Sequence, residues 1–418
     1  MSSSNILGPL GNAVFNYLKW NYDIWFTKEP CTNSNNSWYE DTYYNLDNFF
    51  REVGLKNSKG EYPVVGYPHK SKKGYSYHIN CPIGLSLNDF MKYKEKIEIQ
   101  VHENIEIRQS GGHIIVEVIT KKLPENIPYS LPTRTKDSIY IPLGESLQGP
   151  IAIDLKENPH SYIVGTTGSG KSVCTKGILT SLVNNYRPNE VELYLCDLTL
   201  VELALFRNLA HTKKFVFTVE DTTEVIADLL EETLRRYQLF MDNGVTNIFE
   251  YNKLPGVKKL KYQILYVEEM IMLLEDPKKK AMKLLKQLMA ISRASGCYAI
   301  YTTQRPSNDV IDNVVKANTN NRIVFKCEDI KNSIVALDRP GAEKLRGRGH
   351  GFIKRGADIQ EFQGYNITDN QVKEVTRKYI SKEPIKENKA EENFESAEIP
   401  AAKTATENKK QLDLSFLD

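Results

Sequence analysis

Apolar residues fall into three patterns along the chain. Near the N-terminus, Leu7, Leu10, Val14 and Leu18 keep helical spacing, which predicts one amphipathic helix in a stretch crowded with Trp20, Trp25, Trp38 and many tyrosines. Residues 1–65 read as a small packed or partner-docking region; aromatics also favour a membrane surface, although Lys and Arg are sparse there. From 66 to 125 the strings YSYHINCPIGL, KIEIQV, IEIRQ and HIIVEVIT alternate apolar and polar positions around a helical LNDFMKYKEK. That alternation predicts strands and a small α+β unit.

Proline-rich 126–145 reads as a linker. Beyond it, over 146–375, short apolar runs (SYIVG, VELYLCD, QILYVEE, CYAIYTTQ, NRIVFKC) alternate with helical segments. This predicts an α/β fold with a parallel sheet covered on both faces. The longest helix is expected to start at Asp221 as N-cap, to bury Ile226, Leu229, Leu230, Leu234, Tyr237 and Phe240, and to stop at Asn243-Gly244. Residues 381–410 are rich in Lys, Glu and Ala and read as a disordered tether, which ends in an apolar 411–418.

The 418 residues suffice for two or three domains, and Lys+Arg 55 against Asp+Glu 53 excludes a globally basic surface. Any nucleic-acid contact must come from a local patch or from a ring of subunits. The six cysteines form no C-x-x-C pair, so zinc-finger and redox motifs have no support. No signal peptide and no run of about 20 apolar residues is evident, so a cytoplasmic location is expected.

The strongest chemical signal is Gly165-Thr166-Thr167-Gly168-Ser169-Gly170-Lys171-Ser172, which fits G-x-x-x-x-G-K-[ST] between a predicted strand and a helix. Such glycines let successive N–H groups wrap phosphates, Lys171 reaches the β- and γ-phosphates of ATP, and Ser172 ligates Mg2+. Glu268-Glu269 follow an apolar strand, where the first acid supports the metal and the second activates water; Glu268 stands where Asp is usual. The other reading is two solvated acids opening a helix. Gln304, after the strand CYAIYTT, is placed to sense the γ-phosphate. Arg322 reads either as a finger reaching a neighbouring subunit's site or as a surface Arg starting a strand. The run Arg346-Gly-Arg348-Gly-His-Gly is a candidate for nucleotide contact or for a basic loop facing DNA.

Taken in order, GTTGSGKSV, YLCDLTLVELALFRNLAH, LLEETLRRYQLFMDNGVTNIFEYN, ILYVEEM, ISRASGCYAIYTTQRPSNDVIDNVVKAN, RIVF and GAEKLRGRG resemble the motor of FtsK/SpoIIIE-type DNA translocases, within the HerA/FtsK superfamily. The upstream YIPLGESLQGPIAIDL shares the likeness, and the 66–125 unit resembles the family's α subdomain. The resemblance implies a RecA-like P-loop ATPase core that binds ATP and Mg2+ and works as a ring, usually hexameric, pulling double-stranded DNA through its pore. A compact single-motor chain resembles the coupling proteins and translocases of conjugative elements and plasmids, with a role in transfer or in element replication. Gln411, Leu412, Leu414 and Phe416 look like the hexapeptide motif that binds the bacterial sliding clamp, at the end of a tether spanning about 30 Å. A chain end packing back on the motor is the other reading. Two rivals stay open: a clamp-tethered, nucleotide-gated replication adaptor, and a type VII-like secretion ATPase.

Overall fold

The computed structural model describes residues 45–130 and 138–381. The expected helix at Leu7–Leu18, the tether beyond 381 and the motif at Gln411, Leu412, Leu414 and Phe416 lie outside them.

The first unit contains α1 (Leu46–Glu52), β1 (Val64–Val65), β2 (His69–Lys70), β3 (Gly74–Asn80), α2 (Leu87–Met91), α3 (Lys94–Val101), β4 (Asn104–Ser110) and β5 (His113–Ile119). Its antiparallel sheet runs β1-β3-β5-β4, with β2 beside β3. Phe50, Tyr77, Phe90 and Val116 fill the core together with Leu46 and Phe49, so the unit reaches back well into 1–65. KIEIQV, expected as a strand, is the helix α3. Its alternation conceals an i,i+4 pair: Ile97 and Val101 are fully buried, whereas Ile99 is 71% exposed.

The second unit contains β6 (Ile127–Pro128), β7 (Tyr140–Ser146), β8 (Gly149–Asp154), β9 (Ser161–Val164), α4 (Lys171–Asn185), β10 (Val191–Asp197), β11 (Thr212–Val216), α5 (Val219–Asp242), α6 (Ile248–Tyr251) and β12 (Tyr262–Glu268). It continues through α7 (Lys280–Ile291), β13 (Cys297–Thr303), α8 (Asn313–Asn318), β14 (Asn321–Phe325), α9 (Ile330–Leu337), β15 (His350–Arg355), β16 (Asp358–Asn366) and α10 (Asp369–Thr376). The strand order is β11-β10-β12-β13-β9-β14-β15-β16-β7-β8, with β6 against β16. Strands β11 to β14 are parallel as expected; the sheet then turns antiparallel from β15 to β8. Residues 126–145 are therefore more than a linker, because they supply β6 and most of β7.

Successive side chains of the parallel strands enter opposite layers, as the pleat requires. Ile163, Leu195, Ile264 and Ile300 pack on one face with Ile178 and Leu182 of α4. Tyr162, Val164, Leu265 and Ala299 pack on the other with Leu229 of α5 and Leu285 of α7. The cap of α5 is Thr218 rather than Asp221: its hydroxyl accepts the Asp221 N–H at 3.0 Å, so the helix starts earlier. Leu234, expected on the buried face, is 56% exposed. The stop at Asn243 and Gly244 is as expected, with Gly244 at φ 66°.

Candidate functional site

The parallel strands bring their carboxyl ends to one edge of the sheet, the usual place for a ligand in open α/β folds. β9 and α4 flank residues 165–170, with Gly168 at φ 74° and Gly170 at φ 113°. Only glycine adopts these values without strain, and they let the loop wrap around a ligand. Thr166 N–H donates to Lys326 O at 3.0 Å, tying the loop to the end of β14. On the other side Arg348 N–H donates to Gly168 O at 3.2 Å and Gly349 N–H to Ser169 O at 2.7 Å. The loop is thus held open between two neighbouring chain segments.

A cavity of about 560 Å³ opens over it, lined by Thr166, Thr167, Gly168, Gly170, Lys171 and Ser172 from the loop and by Gln304 and Arg348 across it. Thr167 Oγ1 donates to Gln304 Oε1 at 3.4 Å. Arg348 is exposed, adopts φ 52°, and has no side-chain partner among the described residues. At the far end the cavity meets Glu125, Asn126, Tyr365 and Asn366.

Lys171 and Glu268 form an ion pair beneath the loop, with their side chains 5% and 1% exposed. Lys171 Nζ also approaches Thr302 Oγ1 at 3.4 Å. Burial pushes the Glu268 carboxyl above its ordinary value, with the Lys171 charge opposing. Glu268 Oε2 is buried with no hydrogen-bond partner among the described residues.

Glu269 lies in a left-handed conformation, φ 60° and ψ 65°, at the turn out of β12. Its Oε1 accepts Thr303 Oγ1 at 2.9 Å and its Oε2 accepts the Gln304 N–H at 3.0 Å, while its own N–H donates to Thr302 Oγ1 at 3.0 Å. The carboxylate is thus clamped to the end of β13. A non-glycine residue held at positive φ by three such bonds is the sort of strain that collects at functional sites.

Lys171, Ser172, Glu268, Glu269 and Gln304 therefore converge, as do Gly165 to Gly170. Arg322 does not. It pairs in register with Tyr162, before the loop rather than after it, and its guanidinium donates to Asp338 Oδ2 at 2.5 Å and to Lys316 O at 3.2 Å. The Arg346–Gly351 run meets the phosphate loop through its backbone, which favours the nucleotide-contact reading over a free basic loop. One acid escaped the sequence reading: Glu202, whose Oε1 accepts the Ser172 hydroxyl at 2.9 Å. Its signal was its place just after β10, at the same sheet edge.

The donor set fits a magnesium nucleotide. A hydroxyl, an orphaned carboxylate oxygen and a lysine converge at the amino end of α4, where backbone N–H groups favour anions. Among the described residues no group of three or more His, Cys, Asp or Glu is arranged to hold a metal. No helix among the described residues is long and apolar enough to cross a membrane.

Residues 130–267 match the FtsK/SpoIIIE family model. The chain is 33% identical over 360 residues to the DNA translocase SpoIIIE of Bacillus subtilis, covering 81% of this chain and 45% of the relative. It is 34% identical over 258 residues to the DNA translocase SftA of the same organism, covering 60% of this chain and 27% of that one. The chain thus spans less than half the length of these curated relatives. Among solved structures, the pCW3 conjugation coupling protein TcpA superimposes with a TM-score of 0.58 at 23% identity, covering 80% of this chain and 98% of TcpA. ATPases 2 and 3 of EssC from Geobacillus thermodenitrificans give 0.54 at 23%, covering 62% and 51%. On the sequence match, the shared fold and the phosphate loop over its buried Lys171–Glu268 pair, the chain carries a P-loop ATPase domain of the FtsK/SpoIIIE family.

Proposed function

We propose that the chain is an ATP-driven motor that moves double-stranded DNA, working as a ring, in the transfer or replication of a mobile element. The observation that carries this reading is the phosphate loop with Lys171 and Glu268 beneath it, set in a chain 33% identical to a DNA translocase over 81% of its length. The mobile-element context rests on the likeness to TcpA, whose solved chain is matched over 98% of its residues.

In this reading the N–H groups of Gly168 to Lys171 hold the phosphates, and Lys171 leaves Glu268 to meet the γ-phosphate. Ser172 and Glu268 would hold Mg2+, which neutralises charge developing on the phosphate oxygens. Glu269, released from Thr303 and Gln304, takes the proton of the attacking water. Gln304 reports the γ-phosphate to Glu269, because its own backbone N–H clamps that carboxylate. Stabilising transition-state charge falls to the exposed Arg348 in the cavity, since Arg322 is committed to Asp338.

Six such subunits in a ring would sum modest basic loops into one DNA-binding pore, consistent with a formal net charge of only +2. The secretion alternative shares the fold, but relatives at 33% and 34% identity are named for DNA cargo. The sliding-clamp contact through Gln411, Leu412, Leu414 and Phe416 is a separable proposal, tested by calorimetry of clamp binding with and without residues 411–418.

The central test is steady-state ATP hydrolysis with long linear duplex, with single strands of equal mass, and with neither. Strong stimulation by duplex is expected. Hydrolysis indifferent to duplex would overturn the translocase reading.

A further inference from the structure

Glu202 sits where the reaction needs a carboxylate, within the string YLCDLTLVELALFRNLAH rather than in the phosphate loop or the Glu268-Glu269 pair. It lines the same cavity as Lys171 and Ser172, and its Oε1 accepts the Ser172 hydroxyl at 2.9 Å. The turn that delivers it is organised from inside. β10 ends at Asp197, a fully buried carboxylate that accepts Leu203 N–H at 2.9 Å and Thr199 Oγ1 at 2.8 Å. Leu200 N–H closes the turn on Asp197 O at 3.1 Å, and Leu200 takes φ 71°, a conformation that a bulky side chain rarely adopts. This strained, internally bonded turn fixes the point at which Glu202 enters the cavity.

Next to this turn stands Glu268. Asp197 and Glu268 are register partners at the ends of β10 and β12, so the Glu202 turn and the Glu268 carboxylate leave adjacent strands. Glu268 is 1% exposed and its Oε2 has no partner among the described residues, an oxygen that burial alone does not explain. The Ser172 hydroxyl thus lies within reach of one carboxylate, and a second, half-satisfied one stands beside it.

We infer that Glu202 is a positioning residue for the magnesium of the bound nucleotide, a second carboxylate beside Glu268. The inference rests on the ATP reading above. A proton-bearing Ser172 is held by Glu202 when no ion is present. With the ion bound, the Ser172 hydroxyl oxygen would turn to it, and the freed Glu202 carboxylate would accept a hydrogen bond from water in its surroundings and so help to orient the ion. Glu202 thereby makes the phosphate loop selective for nucleotide that arrives with its metal, because its negative charge opposes unmetallated phosphate.

The test is a titration of a fluorescent ATP analogue against full-length protein, first in EDTA and then across increasing magnesium. Glu202→Gln keeps the size and an oxygen able to accept from Ser172. It is expected to weaken the magnesium dependence by about 10- to 100-fold, the usual loss for an outer-shell partner of a metal. Binding in EDTA is expected to stay equal or to tighten, and the melting temperature without nucleotide to stay within about 2 °C of the unsubstituted protein. An unchanged magnesium dependence would overturn the inference, whether or not the melting temperature falls. Lys171→Ala in the same assay separates the two readings. Loss of analogue binding with and without magnesium supports the nucleotide site, and retained binding refutes that site independently of Glu202.

Discussion

Gly170 and Gly349 meet backbone to backbone: a Cβ built on Gly170 would lie 2.4 Å from Gly349 N and 2.6 Å from its Cα. The glycine that opens α4 is therefore required by its neighbour as well as by its φ of 113°. Gly170→Ala must push the 346–350 segment off the loop, at a cost of roughly 1–3 kcal/mol in stability together with loss of nucleotide binding. Gly177, inside α4, behaves oppositely. A Cβ there would touch only the Tyr129 ring, at 3.6 Å, and helical Ala replaces Gly with a gain of about 0.5–1 kcal/mol. Urea melts of both variants check the contrast, and equal destabilisation would contradict it.

Glu269 provides the second test. Its carboxylate accepts from Thr303 and Gln304, and Glu269→Gln preserves an oxygen for both while removing the base. The expected variant binds nucleotide as before and hydrolyses it about 10²- to 10⁴-fold more slowly. Turnover near that of the unsubstituted protein would assign water activation elsewhere.

What could be read from the chain alone is what depends on local spacing. The phosphate loop, the strand ends carrying Glu268 and Gln304, and the parallel order of the central strands all follow from short patterns with known geometry. Contacts between distant residues were illegible. Glu202 reaches Ser172 across 30 residues, and Arg348 braces Gly168 only because β15 pairs with β14. Arg322 was legible only in part. Its rank in the strand was visible, but its alignment with Tyr162, whose ring lies 5.9 Å from the guanidinium, came from pairing between strands. The prolines of 126–145 suggested a linker, yet Pro142 sits within β7, where it pairs with Ala152 and the register then shifts. KIEIQV failed because three alternating apolar residues satisfy strand and helix alike, and only burial of Ile97 and Val101 decides.

The two arginines can be separated by kinetics. Arg348 lines the cavity with no side-chain partner among the described residues, whereas Arg322 is bound to Asp338. Removing a group that stabilises transition-state charge costs about 10²- to 10³-fold in kcat, so Arg348→Ala should lose that much. Arg322→Ala should stay within about threefold. The reverse pattern would restore Arg322 as the residue that reaches a neighbouring site.

Asp338 supplies the pH signature. Lys316 at 2.8 Å, Arg322 at 2.5 Å and Lys354 at 2.5 Å surround its carboxylate. Burial works to raise its pKa, but the hydrogen bonds from Lys316 and Lys354 and the charge of Arg322 outweigh it and hold Asp338 well below the usual carboxylate range. A carboxyl depressed on folding contributes stability that is present above its ordinary value of 3.8 and is lost as pH falls toward its folded value. Because the side chain is 43% exposed, solvent and salt screen the pairs. Asp338→Asn should therefore cost only about 1 kcal/mol at neutral pH, despite three partners. That deficit should shrink as pH drops below 3.8, where the aspartate takes up a proton in the unfolded chain before it does so in the folded one, and should also shrink in high salt. Denaturant melts of both proteins at neutral and acid pH decide it. A gap that is constant with pH would mean that the aspartate acts through its shape and hydrogen bonds rather than its charge.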